Sequence, residues 1–303
     1  MSTAASEEAS DAPIVAFFDV DNTLLRGASM FHMAKAARRV GIIHSAEILK
    51  FAWHQATFLF VGENLRQLGS IKDRATELIG GHNEGEIRGL ANEVFERDIA
   101  HRLWPESVGL TKEHLAKGHQ VWLISATPRL VGEVIAERLG LTGALGTEFV
   151  TMPDGVFEGS FDGPVLHGEE KAVAARALAA TLGANLADCW AYSDSRNDIP
   201  LLSLVGHRVV VNPDARLAKH ARLHDWPILQ LKRASIKEAQ RRVRREAKEV
   251  AASARTGKRT ILPRRTTKIV KPPKDVKPPK SPKIVKAPKV AKVAKEKAPD
   301  PKA

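Results

Sequence analysis

Asp19 and Asp21 are the first residues whose types and spacing could do chemistry. They stand two apart in Asp19-Val20-Asp21-Asn22-Thr23, directly behind the apolar run Ile14-Val15-Ala16-Phe17-Phe18. If the chain is still extended at Asp19 and turns just after it, both carboxylates face one crevice. One could then attack phosphorus while the other moves protons. That is phosphoryl transfer through an aspartyl-phosphate. The same residues also read as an acidic turn, because Asp and Asn favour turns and caps through local hydrogen bonds.

The elements that would position these groups show as alternating strands and helices. Residues 14–18 are short, β-branched and aromatic, and Pro13 bounds them, which marks a buried parallel strand. Residues 28–104 read as helical, with broad apolar faces over Ser29–Val40 and Ser45–Val61 and more polar stretches at Ser70–Ile79 and Glu84–Arg102. That block predicts an inserted helical cap, with Arg26-Gly27 and Trp104-Pro105 as candidate hinges. The α/β pattern resumes at Gln120–Ile124 and runs into Ser125-Ala126-Thr127-Pro128, where Thr127-Pro128 supplies a cap and first turn for a helix over Arg129–Leu139 closed by Gly140. Pro153-Asp154-Gly155 predicts a hairpin turn. Lys171 lies in an Ala-rich helix reaching Leu182, a strand at Cys189–Tyr192 ends in Ser193-Asp194-Ser195-Arg196-Asn197-Asp198, and a last strand spans Arg208–Val211. The predicted fold class is α/β, a doubly wound Rossmann-like parallel sheet with core residues 13–27 and 105–231, a cap at 28–104, a disordered N-terminus at 1–12 and a basic tail at 232–303.

Composition fits a soluble protein, with 43% hydrophobic and 27% charged residues over 303. The first twelve residues lack the order of a signal peptide, and the longest apolar stretch, Ile48–Val61, is interrupted by Lys50, His54 and Gln55. No transmembrane segment is expected. Cys189 is the only cysteine, which excludes intramolecular disulfides and fits a reducing cytoplasm. The net charge of +12 divides unevenly: residues 231–303 hold 25 Lys and Arg against 6 Asp and Glu, net +19, leaving 22 against 29, net −7, for residues 1–230. Residues 235–254 could form a basic helix, and the Lys-, Pro- and Ala-rich remainder reads as disordered. Such a tail suits nucleic acid or an anionic membrane surface, bound non-specifically, or it serves as a solvated solubility tail. Without aromatic residues it has nothing to stack on bases.

Asp19 and Asp21, Ser125, Lys171, and Asp194 with Asp198 fall in this order at predicted strand ends or helix starts. Spaced so, they resemble the haloacid dehalogenase superfamily, and the position of the cap resembles its phosphoserine-phosphatase-like branch. The resemblance covers about residues 13–230. It implies a Mg²⁺-dependent phosphomonoester hydrolase with Asp19 as nucleophile and Asp21 as general acid and base. It also implies metal ligation by Asp19, the Asp21 backbone carbonyl and Asp194, phosphate binding by Ser125, Lys171 and Asn197, and supporting roles for Thr23 and Asp198. A competing class is a polyanion- or nucleic-acid-associated binding protein on the same fold.

The substrate is the point at which the chain departs from the pattern. Phosphoserine phosphatases carry a Glu nine residues after the nucleophile for the substrate amino group; here that position is Ala28. Lys72 or Arg74 could serve as the Arg that pairs with a substrate carboxylate. Phe51, Trp53, Phe58, Leu59 and Phe60 load the cap with apolar surface, either as helix packing or as a pocket for a lipid-like phosphomonoester. A small phosphorylated metabolite such as phosphoserine is the first expectation.

Overall fold

β1 (Val15–Phe18) is buried along its whole length. Its side chains divide the core by alternation: Ala16 and Phe18 enter one apolar cluster, Val15 and Phe17 the other. In β2 (Gln120–Pro128), Val121 and Leu123 join the first and Trp122 and Ile124 the second. Unbroken apolar runs are what a parallel strand needs when helices cover both faces of its sheet.

The computed structural model describes residues 12–41, 79–241 and 245. Within them β1, β2, β3 (Gly143–Thr147), β6 (Trp190–Ser193), β7 (His207–Val211) and β8 (Ile228–Leu229) form one sheet in the order β3-β2-β1-β6-β7-β8, parallel at every pairing. Counted along this sheet alone the order is 3-2-1-4-5-6, the doubly wound arrangement. The chain winds outward through β2 and β3, then returns to the far side of β1 at β6. That reversal opens a crevice at the carboxyl ends of β1 and β6, where ligands of such sheets collect. β4 (Phe149–Thr151) and β5 (Phe157–Phe161) pair antiparallel around the expected turn. β8 lies beyond the last strand expected from sequence, because two residues carry too little pattern to stand out.

Helices flank the sheet and form the cap: α1 (Ser29–Arg39), α2 (Glu84–Val94), α3 (Pro105–Ala116), α4 (Arg129–Leu139), α5 (Glu169–Leu182), α6 (Ile199–Leu204) and α7 (Ala215–Leu223). Gly140 ends α4 with φ +68°, the left-handed closure that glycine allows. The start of α4 departs from expectation. Pro128 is its N-cap without a side-chain bond, and the Thr127 hydroxyl is used elsewhere.

α1 and α2 are the described parts of the cap. Asn83 and Glu86 form a capping box at the start of α2, whose Ile87, Leu90, Ala91 and Val94 are buried. The expected helix over Glu84–Arg102 continues past Val94 as a π-helical turn at Phe95–Ile99 and a 3₁₀ turn at Ala100–Arg102. In that wider turn Phe95 and Ile99 stay buried while Asp98 meets Arg39 at 3.1 Å and Lys35 at 3.6 Å on α1. The two cap linkers form a short antiparallel ribbon: Leu25 bridges Leu103, Arg26 N–H donates to the Arg102 carbonyl at 3.0 Å and Trp104 N–H to that of Leu24 at 2.9 Å.

The helix at Ser45–Val61, residues 70–78, the aromatic stripe, Lys72, Arg74, residues 1–11 and nearly all of the tail lie outside the described residues. A C-terminal helix is described over 233–241, starting two residues before the one expected at 235–254. Its Ile236 is buried and Gln240 donates to the His101 carbonyl at 2.7 Å. Cys189 is free and buried, and no described helix is long and apolar enough to cross a membrane.

Candidate active site

Asp19 continues the β1–β6 ladder by one residue, its N–H donating to the Tyr192 carbonyl at 2.9 Å. The chain turns at once, since the Val20 carbonyl accepts from Leu24 N–H at 3.0 Å and from Leu25 N–H at 2.9 Å. Asn22 adopts φ 60° in this turn, and Gly27, at φ +102°, donates its N–H to the Asn22 side chain at 3.1 Å. A side chain at Gly27 would strain that backbone, which glycine adopts freely. The loop therefore returns the chain to the start of α1, where Ser29 N–H donates to Asp21 Oδ1 at 2.8 Å.

Lys171, in the first turn of α5, is the junction of the site. Its Nζ donates to Asp19 Oδ1 and to Asp198 Oδ2, each at 2.7 Å, and all three side chains are under one-tenth exposed. Ser193 Oγ donates to the same Asp198 oxygen at 2.6 Å. Asp194 follows at the end of β6, and among the described residues no donor reaches its carboxylate. Asn197 occupies the 3₁₀ turn at Arg196–Asp198, its N–H donating to Ser195 Oγ at 3.2 Å. Ser125 Oγ donates to Thr127 Oγ1 at 3.0 Å, and Thr127 Oγ1 lies 2.9 Å from Ser29 Oγ. This buried hydroxyl chain ties the end of β2 to the cap. Thr23 is buried, with its carbonyl accepting from Ser107 Oγ at 2.7 Å and its hydroxyl without a partner among the described residues.

Burial holds the carboxyls of Asp19, Asp21 and Asp194 above their usual range, and neighbouring carboxylates add to it at Asp19 and Asp194. Asp19 is pushed up to about 7, chiefly by burial against the opposing pull of Lys171, with Asp198 and Asp21 adding to the rise. Asp21 is raised by burial and held back by Ser29. Asp194 rises well above the carboxylate range through burial and the charges of Asp19 and Asp198. Burial alone would depress Lys171, but Asp19 and Asp198 outweigh it and raise it.

Four carboxyls against one ammonium leave an excess of negative charge, and Asp194 has no donor to relieve it. A divalent cation fits that deficit. No trio of Asp, Glu, His or Cys side chains among the described residues is grouped tightly enough to hold a metal unaided. A hard ion that keeps waters and takes one or two carboxylates beside a carbonyl is the kind that suits such a site.

The haloacid dehalogenase-like hydrolase family matches residues 16–203, spanning Asp19, Asp21, Ser125, Lys171 and Asp194–Asp198. The chain belongs to this family. Phosphoserine phosphatase SerB1 of Mycobacterium tuberculosis is 44% identical over 219 residues, covering 72% of this chain and 71% of that one. A probable phosphatase from the same organism is 33% identical over 225 residues, covering 73% and 77%. A solved structure of a protein of unknown function from Bordetella pertussis Tohama I superposes with a TM-score of 0.63 at 27% identity, covering 72% of this chain and 98% of that one.

Three polar residues of this haloacid dehalogenase-like site were not anticipated from sequence. Ser29 reads there as an ordinary helix start, Thr127 as a helix cap and Ser193 as a strand end. Thr127 and Ser193 share a signal, a small hydroxyl residue at or next to a strand end, and Ser29 offers only a hydroxyl at a helix start. Without the fold, that signal does not separate a site residue from a cap.

Proposed function

We propose that the chain is a Mg²⁺-dependent phosphomonoester hydrolase working through an aspartyl-phosphate. The observation that carries this reading is Lys171 bridging Asp19 and Asp198 in a buried crevice at the sheet's switch point. An Asp19 carboxylate oxygen attacks phosphorus, the bond from phosphorus to the ester oxygen breaks, and the leaving oxygen takes its proton from the Asp21 carboxyl. Burial favours the protonated form of Asp21 at the outset. The Ser29 contact occupies Oδ1 and leaves Oδ2 for the proton. Asp21, now a carboxylate, takes a proton from water as that water attacks phosphorus and releases phosphate from Asp19.

Lys171 offsets charge on the phosphoryl oxygens, with the Ser125 hydroxyl and the Asn197 side chain as further donors. Mg²⁺ bound by Asp19, the Asp21 carbonyl and Asp194 would supply the remaining countercharge. Asp198 holds the Lys171 ammonium in place, and Ser193 in turn holds Asp198.

Phosphoserine is the first substrate to test, supported by the 44% identity to a phosphoserine phosphatase. Ala28 is the observation that favours a second reading. It caps α1 with no carboxylate to meet an amino group, which leaves a lipid-like or other phosphomonoester as the alternative. A phosphate-release screen comparing phosphoserine, lysophospholipids and sugar phosphates decides between them. Turnover of phosphoserine supports the first reading, and activity confined to another class overturns it.

A further inference from the structure

Arg26 and Arg102 stand on opposite strands of the ribbon that links cap to core. The Leu25–Leu103 bridge and the bond from Arg26 N–H to the Arg102 carbonyl set them across from each other. Like charges placed so are destabilising, and a protein normally relieves them with an acid. Here neither arginine makes an ion pair among the described residues. Asp98, which acts on the neighbouring His32 and His101, is committed to Arg39 and Lys35. A third arginine, Arg233, adds to the repulsion: Arg26 is depressed by burial and by the charges of Arg102 and Arg233.

Arg233 begins the C-terminal helix, whose orientation is fixed by buried Ile236 and by the bond from Gln240 to His101. Arg233, Lys237, Arg241 and Arg245 follow at intervals of four and are all exposed. At 3.6 residues per turn they form a stripe with about 6 Å between successive Cβ atoms, which starts beside the anchored face at Arg233 and turns away from it by about 40° at each step. Its first member, Arg233, is close enough to the cap linkers for its charge to act on Arg26.

We propose that Arg26, Arg102 and the stripe Arg233, Lys237, Arg241 and Arg245 form one surface that binds the phosphate backbone of a nucleic acid. Guanidinium groups suit phosphate oxygens through paired hydrogen bonds, and a linear row of cations suits a linear row of phosphates. An anionic membrane fits less well, because the helix's apolar anchor, Ile236, is buried in the protein and leaves no wedge for lipid. The surface carries no aromatic residue, so binding depends on charge and salt, without base readout. Arg26 and Arg102 stand on the cap linkers, while Asp19 and Asp194 directly follow the ends of β1 and β6.

The test is binding of the full chain to a short labelled DNA duplex across a salt series, beside R26Q/R102Q and R233Q/K237Q/R241Q. Turnover of an aryl phosphate, measured in parallel, reports whether each variant is folded and keeps failure here distinct from failure of the hydrolase reading. Each phosphate that the protein neutralises steepens the slope of log K against log salt by about 0.9, so the slope is expected to shrink by about 1.8 in the first variant and about 2.7 in the second. An unchanged slope in R26Q/R102Q overturns the proposal, since the remaining tail alone then carries the binding. Tighter binding to phosphatidylglycerol vesicles than to duplex also overturns it.

Discussion

Lys171 is held by two carboxylates and holds both of them in turn, so removing its charge leaves Asp19 and Asp198 buried without a cation. Lys171→Met is expected to destabilise the protein by about 3–5 kcal/mol in urea unfolding and to remove turnover, because breaking a buried pair strands the partner charge. Ser29 allows a finer cut. A proline is well tolerated at the first position of a helix, and Ala28 already has the extended backbone that precedes one, so Ser29→Pro removes the N–H to Asp21 together with the hydroxyl that meets Thr127, and Ser29→Ala, which removes the hydroxyl alone, is its control. A fall in kcat of about tenfold in Ser29→Pro relative to Ser29→Ala, with the two variants melting alike, is expected if that N–H positions the acid. His114 carries a pH prediction. Its Nε2 lies 2.8 Å from the Tyr192 hydroxyl, and burial depresses it to about 4, helped by His119 and Lys117. A depressed histidine is protonated more readily when unfolded, so its stability contribution is complete above about 6.5 and is lost as pH falls toward 4. Between pH 7 and 5 the loss is about 2 kcal/mol, and His114→Gln should flatten that part of the urea-midpoint profile.

At the scale of elements, α2 of the cap meets α4 of the core through two kinds of contact. Arg88 pairs with Glu133 at 3.0 Å and Glu137 at 2.8 Å, while Ile87, Leu90 and Val94 are buried. The ion pairs are partly exposed and are worth about 0–1 kcal/mol, whereas a truncated core isoleucine costs about 2–5 kcal/mol. Ile87→Ala should therefore lower stability several-fold more than Arg88→Ala in urea unfolding; the reverse order would place the interface energy in charge. The sheet was legible in sequence because strands buried on both faces, such as Val15–Phe18 and Val121–Ile124, show as unbroken apolar runs. α5 was legible from its alanines and α4 from Gly140. β8 was not, being two residues long, nor was the π-helical turn at Phe95–Ile99, which depends on Asp98 meeting α1. In the site, Asp19, Asp21 and Lys171 stood out through spacing and resemblance. The hydroxyl chain Ser29–Thr127–Ser125 did not, because it joins residues 98 positions apart, a contact that local pattern cannot carry.

The whole molecule combines a mildly acidic α/β body and a strongly basic extension, and the two make separable predictions. Truncation after Leu231 is expected to remove salt-sensitive polyanion binding while sparing turnover, since the proposed catalytic groups lie between Asp19 and Asp198. The body, in turn, is organised around the crevice at the reversal between β1 and β6, where the proposed reaction needs a cation to offset the excess of carboxylate charge. The most direct test of that account is phosphate release from an aryl phosphate, in the presence of Mg²⁺, by the native chain and by Asp19→Asn. The account predicts that the variant loses turnover to background while melting as a folded protein. Turnover equal to the native chain's would show that Asp19 is not the nucleophile and contradict it.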